Sequence, residues 1–210
     1  MSTFNGPPAG NFSIHISSEV KTQPLVEVCQ DAPFIEIQNL PDEVLTYLLP
    51  SRYCESDRFG DMATQLTANE KPGYAQVSAI ETWLRNNISY IPGSSNFPIS
   101  AVEVNLRQSG VCRDLAHLGI ALCRSLSIPA RLVVGYLYDL EPMDLHAWFE
   151  AYVGDQWYTF DATQSGPKGG YVTIGFGHDA ADVAVYNQFG PAVYPISQKI
   201  EVLKIDGKES

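Results

Sequence analysis

A cysteine in this chain stands where a helix is predicted to begin, a position that favours nucleophilic chemistry. Cys112 follows Gly110-Val111 and opens the segment 112–126, in which apolar residues recur along one helical face. A thiol at a helix N-terminus faces unpaired backbone N–H groups and the positive end of the helix dipole, and both stabilise a thiolate. The backbone N–H of Cys112 is also a candidate donor to an oxyanion, and Gly110 is expected to let a substrate backbone approach closely.

A histidine and an aspartate later in the chain are candidates for the base and its orienting partner. His146 begins the predicted strand 146–153, and Asp161 ends the predicted strand 157–161. The Gly, Asp and Gln between these strands predict a tight turn and an antiparallel hairpin. With the hairpin centred near that turn, His146 is expected to stand opposite Asp161, to within about two residues. The sequence therefore predicts a catalytic triad of Cys112, His146 and Asp161.

The elements that must position these residues follow one another as strands, helices and strands. Residues 74–88 and 112–126 show the apolar spacing of helices. Apolar runs predict strands over part of 12–37 and at 131–137, 146–153, 157–161, 171–176 and 195–205. This order predicts an α+β fold in which the helix bearing Cys112 packs against an antiparallel sheet. We expect a small β-rich region at 1–68 and a catalytic core with C-terminal strands at 69–210.

Composition and charge argue against several kinds of partner. The chain has 210 residues, of which 45% are hydrophobic and 18% charged, enough apolar material for a core. Its formal net charge of −11 disfavours phosphate backbones and anionic membranes, so neither a nucleic-acid nor a membrane partner is expected. The start of the sequence lacks a basic stretch followed by an apolar run, which indicates a cytoplasmic protein. The cysteines show neither a CxxC pair nor zinc-ligand spacing, so we expect free thiols and no bound metal.

Two runs of this sequence resemble the core of bacterial transglutaminase-like proteins, which are related to papain-like cysteine proteases. The runs are GVCRDLAHLGIALCRSLSIPARLVVGYL and HAWFEAYVGDQWYTFDAT. PSRYCESD and GFGHDAADVAVYNQFGP resemble the flanking segments, so the likeness covers roughly residues 50–200. The resemblance implies a papain-like core in which Cys112 of GVC, His146 of HAWFE and Asp161 of FDAT form the triad.

The same resemblance implies acyl transfer through a thioester, with no cofactor and with a peptide or protein as substrate. Hydrolysis of peptide or amide bonds, as by a cysteine protease, is the function we expect. Two other functions stay open: transfer to an amine, which crosslinks proteins, and a binding or scaffold domain that keeps the fold without turnover. A metal site built from cysteine and histidine is a further alternative, and it would leave metal in the purified protein.

Two residues beside the predicted triad have candidate roles in the cleft. Gln108, four positions before Cys112, is a candidate oxyanion donor by likeness to papain-like relatives, which place a glutamine ahead of the nucleophile. Trp148 shares strand parity with His146 and therefore lies on the same face of the sheet. Trp148 either shapes the cleft or packs there as an ordinary buried aromatic.

The remaining histidines and a second helical cysteine have structural interpretations. His178 either lines the cleft or fixes a turn through Asp179. His117 lies about 140° around the predicted helix from Cys112, so it is expected to hold structure rather than reach the thiol. Cys123 lies about three turns further along the same helix and is expected in the core.

Overall fold

The structure, a computed structural model, describes residues 10, 13–22, 29–95, 97–166, 169–184 and 196–205. Within these residues, five α-helices form: α1 Asp42–Leu45, α2 Gly60–Leu66, α3 Tyr74–Asn87, α4 Ala101–Arg107 and α5 Cys112–Ser125. Short 3-10 helices form at Ile37–Asn39, Thr46–Leu48 and Ser56–Arg58. The strands are β1 Ser89–Tyr90, β2 Ser109–Gly110, β3 Ala130–Leu137, β4 His146–Val153, β5 Gln156–Phe160 and β6 Tyr171–Gly177. None of the described helices is both long and apolar enough to cross a lipid bilayer.

The main sheet is antiparallel, with strand order β5–β4–β3–β6. β1 and β2 form a separate parallel pair that leads directly into α5. α5 packs against β3 and β4, with α2, α3 and α4 around it. The predicted α+β architecture is therefore confirmed, including the packing of the Cys112 helix on an antiparallel sheet.

α5 lies at the centre of the hydrophobic core because its apolar residues recur at helical spacing. Leu115, Leu118 and Leu122 are buried against the sheet and the neighbouring helices. Burying a leucine side chain contributes roughly 1.5–3 kcal/mol, so these residues anchor α5 along its length. The helix also approaches the sheet very closely at Gly119, where an added Cβ would lie 2.7 Å from the Phe149 ring.

A buried arginine joins the end of α5 to the chain on either side of it. The Arg124 guanidinium donates to the carbonyl of Ala130 at 3.0 and 2.8 Å, and to the carbonyl of Leu49 at 2.9 Å. It also donates to Ser51 Oγ at 3.0 Å and to the carbonyl of His178 at 2.8 Å. Because a buried guanidinium is stable only when its donors are satisfied, these bonds fix the segments near residues 50 and 178 against the helix.

The strands expected in the N-terminal region are absent from its described residues. Residues 13–22 have no regular secondary structure, and residues 29–68 form short helices plus one bridge between Pro33 and Gly73. Alternating apolar residues form a strand only where a partner strand and a buried face exist. Ile14 has no such buried face, since it is 59% exposed. The rest of the predicted stretch from 12 to 37 lies partly outside the described residues.

The strand predicted over 195–205 is also absent from its described part, residues 196–205. Ile196 and Leu203 are exposed there. The apolar alternation of this segment therefore meets no sheet partner among the described residues. The strand predicted at 171–176 does form, as β6.

Gly119→Ala is expected to lower the free energy of unfolding by roughly 1–3 kcal/mol, because its methyl group would overlap the Phe149 ring. Urea unfolding followed by circular dichroism measures this change. Gly60→Ala is the matched control, since a Cβ at the start of α2 meets nothing within 4 Å; it should be neutral or slightly stabilising. Equal stability of the two variants would contradict the close packing of α5 on the sheet.

Candidate active site

The start of α5 is fixed by a buried carboxylate that lies two residues after the cysteine. Cys112 is the first residue of the helix and is partly exposed. Asp114 is buried, and its Oδ2 accepts the Val111 N–H at 3.1 Å and the Ser95 hydroxyl at 2.5 Å. Arg113 Nε donates to Asp114 Oδ1 at 3.0 Å. Because these bonds hold the first turn and the incoming loop, the position of the thiol is well defined.

The glycine before the cysteine serves the helix itself. An added Cβ at Gly110 would lie 2.8 Å from Asp114 Cβ. The space beside Gly110 is therefore filled by the first turn of α5. The close approach of a substrate backbone to Gly110 stays a prediction.

The hairpin that carries the histidine closes through a two-residue turn. Gly154 and Asp155 have φ values of 55° and 64°, the left-handed conformation that a tight type I′ hairpin turn requires at both central positions. Val153 and Gln156 form the closing pair. The turn is therefore one residue shorter than the Gly-Asp-Gln sequence predicted.

The observed hairpin register differs from the predicted register by two residues. Pairing runs as far as Phe149 with Phe160, and continuing it would place Thr163 opposite His146. Asp161 therefore lies two residues from the position directly opposite His146, within the two-residue range of the sequence prediction. Because side chains alternate between faces, a shift of two keeps Asp161 on the His146 face as a diagonal neighbour, whereas a shift of one would have reversed it.

The structure joins His146 and Asp161 by a buried hydrogen bond. His146 Nε2 lies 2.6 Å from Asp161 Oδ2, and the two side chains are only 2% and 5% exposed. Since Nε2 is occupied by the carboxylate, Nδ1 is the ring nitrogen left for the sulfur of Cys112. Cys112 acts on the pKa of the His146 ring through a hydrogen bond and its charge, so the three predicted residues lie together in the order thiol, imidazole and carboxylate.

Asp161 is held in place from both of its oxygens. Oδ1 accepts the backbone N–H of Thr163 at 3.0 Å and the Thr163 hydroxyl at 2.6 Å. Oδ2 accepts the Tyr171 hydroxyl at 2.9 Å in addition to the His146 bond. The backbone N–H of Asp161 donates to Glu81 Oε1 at 2.9 Å. These contacts satisfy a carboxylate that burial separates from water.

These contacts set the charges of the histidine and the aspartate. Burial by itself lowers the pKa of His146, but the hydrogen bonds and negative charges of Asp161 and Cys112 outweigh it and raise this pKa to about 9. Burial by itself raises the pKa of Asp161, but the bond and charge of His146, together with the Thr163 bonds, hold it below its usual value. At neutral pH the two residues therefore form an imidazolium–carboxylate pair.

A second ion pair lies behind the aspartate. Arg85 Nη2 is 3.0 Å from Glu81 Oε1, and Arg85 Nε donates to the carbonyl of Gln164 at 2.6 Å. Burial raises the pKa of Glu81, although its bonds to Asp161 and Arg85 oppose this. Through this pair, α3 holds the backbone on both sides of the triad carboxylate.

A β-bulge determines which side of the sheet Tyr171 occupies. β3 pairs with β6 in one register up to Val134 with Gly175, then resumes with Gly135 opposite Thr173, so Ile174 is the extra residue. Without this extra residue, the alternation of side chains would turn Tyr171 to the opposite face. The bulge therefore brings the Tyr171 hydroxyl to Asp161.

Trp148 fills the space between the histidine and Tyr171. Its ring centroid lies 6.1 Å from that of His146 and 4.8 Å from that of Tyr171, and the side chain is 1% exposed. A Cβ on Gly135 would lie 2.0 Å from the Val172 carbonyl and 3.0 Å from the Trp148 ring, so only glycine fits there. Of the two interpretations of Trp148, the structure supports the buried aromatic, which packs beside His146.

The structure shows the other two cleft candidates, Gln108 and His178, bonded to groups outside the triad. The Gln108 side chain is exposed and donates to the carbonyl of Asn105, the residue three positions before it. His178 Nε2 bonds Thr46 Oγ1 at 2.7 Å, and its Nδ1 contacts Asp182. The carbonyl of His178 binds Arg124, in the last turn of α5, about 18 Å along the helix from its start.

The histidine predicted to fix a turn does so through a different aspartate. Asp182 contacts the His178 ring and accepts its backbone N–H at 3.0 Å. Asp179 instead accepts the backbone N–H of Tyr53 at 2.7 Å. The expected partner, Asp179, therefore ties the chain to the segment before α2.

His117 has the structural role that its helical position predicted. It is buried, its ring stacks on Tyr53, its Nδ1 lies 3.0 Å from the carbonyl of Ile99, and its Nε2 accepts the Ala180 N–H at 3.2 Å. Burial lowers its pKa to about 4, although the Ile99 bond and the nearby charges of Asp179 and Asp114 oppose this. Cys123 is buried in the core, as expected.

Sequence reasoning missed Thr163, Tyr171 and Glu81. Thr163 had a signal, since an aspartate side chain commonly accepts the backbone N–H of the residue two positions later in a turn. Tyr171 had none, because a β-bulge leaves no mark in an apolar pattern. Glu81 lies on α3, far from the motifs in sequence, and only the tertiary packing brings it to Asp161.

Comparison with known proteins finds relatives of this chain. Residues 60–162 match the profile of the transglutaminase-like superfamily, a span that contains all three candidate catalytic residues. An uncharacterized protein of Mycobacterium leprae is 30% identical over 192 residues, which cover 84% of this chain and 67% of that protein. An uncharacterized protein of Mycobacterium tuberculosis is 28% identical over 141 residues, covering 58% of this chain and 44% of that protein.

One solved structure is similar in both sequence and fold. It belongs to a Cytophaga hutchinsonii protein provisionally named a cysteine protease. It is 47% identical, with a TM-score of 0.71, and the match covers 74% of this chain and 54% of that one. The chain thus spans about half the length of this relative.

Asp161→Asn is expected to lower the pKa of His146 from about 9, because the variant loses the carboxylate charge that opposes the effect of burial. The imidazolium that persists to about pH 9 in the native protein should then deprotonate at lower pH. Titration of the His146 ring nitrogens by NMR measures the midpoint. Asp182→Asn, beside His178, is the control and should leave it unchanged. A native midpoint near the ordinary histidine value would contradict the assignment.

Proposed function

Because this chain belongs to the transglutaminase-like superfamily, we propose that it is a cysteine-dependent acyl-transfer enzyme that hydrolyses peptide or amide bonds. The observation that carries this proposal is the buried 2.6 Å bond from His146 Nε2 to Asp161 Oδ2. It fixes a charged imidazole at the site of a thiol that begins a helix. The 47% identical relative, provisionally named a cysteine protease, supports the same reaction class.

Each triad residue has one role in the proposed reaction. The sulfur of Cys112 attacks the carbonyl carbon, and the electron pair of the C=O bond moves onto oxygen. When the pair returns, the C–N bond breaks and His146 gives its Nδ1 proton to the departing amine. Water, deprotonated by His146, then attacks the thioester and releases the acid and the thiol. Asp161 keeps the imidazole in one orientation throughout.

The ordered site favours turnover over a scaffold role. Asp161 accepts four hydrogen bonds, and Asp114 fixes the start of the helix that carries Cys112. A domain used only for binding would not need a charged histidine held beside a thiol. Amine transfer uses the same three residues, so it differs from hydrolysis only in what attacks the thioester.

Iodoacetamide is expected to alkylate Cys112 faster than Cys29, although Cys29 is exposed and Cys112 only partly so. The reason is that Cys112, unlike Cys29, lies beside the His146 imidazolium at the start of a helix, where a cysteine is activated as a nucleophile. Peptide mapping by mass spectrometry measures both rates.

Cys112→Ala should abolish hydrolysis of a mixed peptide library while circular dichroism shows an intact fold, and Cys29→Ala should retain activity. Retained hydrolysis in Cys112→Ala would remove the nucleophile assignment.

The products formed from a glutamine-containing peptide in the presence of putrescine distinguish hydrolysis from crosslinking. We expect cleaved or deamidated peptide, because water is the acceptor in the proposed reaction. Mass spectrometry separates these products from the amine adduct, and Cys112→Ala is the blank. A predominant adduct would contradict hydrolysis and establish the amine transferase alternative.

A further inference from the structure

The proposed reaction needs hydrogen-bond donors to the carbonyl oxygen of the substrate, which becomes negatively charged when the sulfur attacks. The backbone N–H of Cys112 is one donor, since the first residue of a helix has no intrahelical acceptor for it. Gln108 does not serve as the second in this structure, because its amide is turned back onto Asn105. A different side chain near the start of α5 must supply that donor if the site has one.

Tyr90 is brought to the start of α5 by backbone pairing. β1 runs parallel to β2, and Tyr90 stands opposite Gly110, two residues before the nucleophile. The pairing is closed on both sides by the Ser89 N–H to the carbonyl of Gln108 and the Ile91 N–H to the carbonyl of Gly110, each at 2.9 Å. Adjacent strands lie about 4.8 Å apart, so the Tyr90 side chain begins within reach of the thiol.

The chain after Tyr90 is also fixed to the first turn of α5. Ser95 Oγ donates to Asp114 Oδ2 at 2.5 Å, and Arg113 Nη2 donates to Ser95 Oγ at 2.7 Å and to the carbonyl of Phe97 at 3.0 Å. Both ends of the segment from 89 to 95 are therefore bonded to the residues around Cys112. The position of Tyr90 relative to the thiol is set by these bonds.

The Tyr90 side chain is partly exposed beside the start of α5. The side chain is 46% exposed, and its hydroxyl has no hydrogen-bond partner among the residues that the structure describes. Burial of part of the ring, and then the negative charges of Cys112, Asp144 and Asp161, raise the pKa of Tyr90. The phenol therefore keeps its proton at neutral pH and lies in the field of the nucleophile.

We propose that Tyr90 is a further catalytic residue, whose hydroxyl donates a hydrogen bond to the oxyanion beside the backbone N–H of Cys112. The inference rests on the proposed function. As the S–C bond forms, the C=O electron pair moves onto oxygen, where the phenol O–H stabilises the charge without transferring its proton. When the pair returns, the leaving group departs and Tyr90 is unchanged.

Two reagents that differ in one respect test this role. Iodoacetamide is attacked by displacement and forms no oxyanion, whereas p-nitrophenyl acetate is attacked through a tetrahedral oxyanion. In Tyr90→Phe, the burst of p-nitrophenolate should slow by about 100-fold, the usual effect of losing one oxyanion donor. Alkylation of Cys112 should stay within about twofold of the native rate, because the triad is intact. Tyr47→Phe, which alters a ring packed on His178 at the far end of α5, should change neither rate.

Every other result overturns the inference, and each points to a different reason. Equal slowing of both reactions would show that Tyr90 acts on the thiolate, and no slowing of either would show that it has no catalytic part. A native protein without a burst, or with a burst that persists in Cys112→Ala, would instead show that the proposed function itself has failed. Circular dichroism of Tyr90→Phe checks that the fold is unchanged.

Discussion

A carboxylate withdrawn from water stays ionised only where hydrogen bonds and positive charge replace its hydration. Asp161 is in this situation, and Thr163, Tyr171 and His146 supply the replacement. In return, the carboxylate keeps the imidazole charged and occupies Nε2, which leaves Nδ1 for Cys112. The chemistry at the sulfur therefore depends on the buried hydrogen-bond network around Asp161.

Two irregular features of the backbone position the side chains of this network. The turn at Gly154-Asp155 sets the hairpin register that makes Asp161 a diagonal neighbour of His146, and the bulge at Ile174 puts Tyr171 on the same face. A one-residue change at either point would reverse the side chains that follow it. Regular strands supply the rigid base of the site, and these two irregularities aim the side chains.

The sequence predicted the parts of the site that have local signals. The amino-acid sequence itself shows the apolar stripe after Cys112 and the Gly-Asp turn after β4, so the helix, the hairpin and the triad residues could be predicted. Tyr171 and Glu81 could not, because a bulge and a long-range contact leave no periodic mark. The prediction of N-terminal strands failed for the opposite reason, because a periodic pattern is present without its tertiary partner. Residues such as Ile14 alternate in the sequence, but the described residues provide no neighbouring strand for them.

Trapping the acyl-enzyme tests most directly the claim that these residues form one working nucleophile. The native protein is mixed briefly with p-nitrophenyl acetate, quenched in acid and mapped by mass spectrometry. We predict a single acetyl group, held as a thioester on Cys112 and removed by neutral hydroxylamine, and much less of it when His146 is replaced by alanine. Acetylation spread over lysines and exposed thiols, with Cys112 unmodified, would contradict the account.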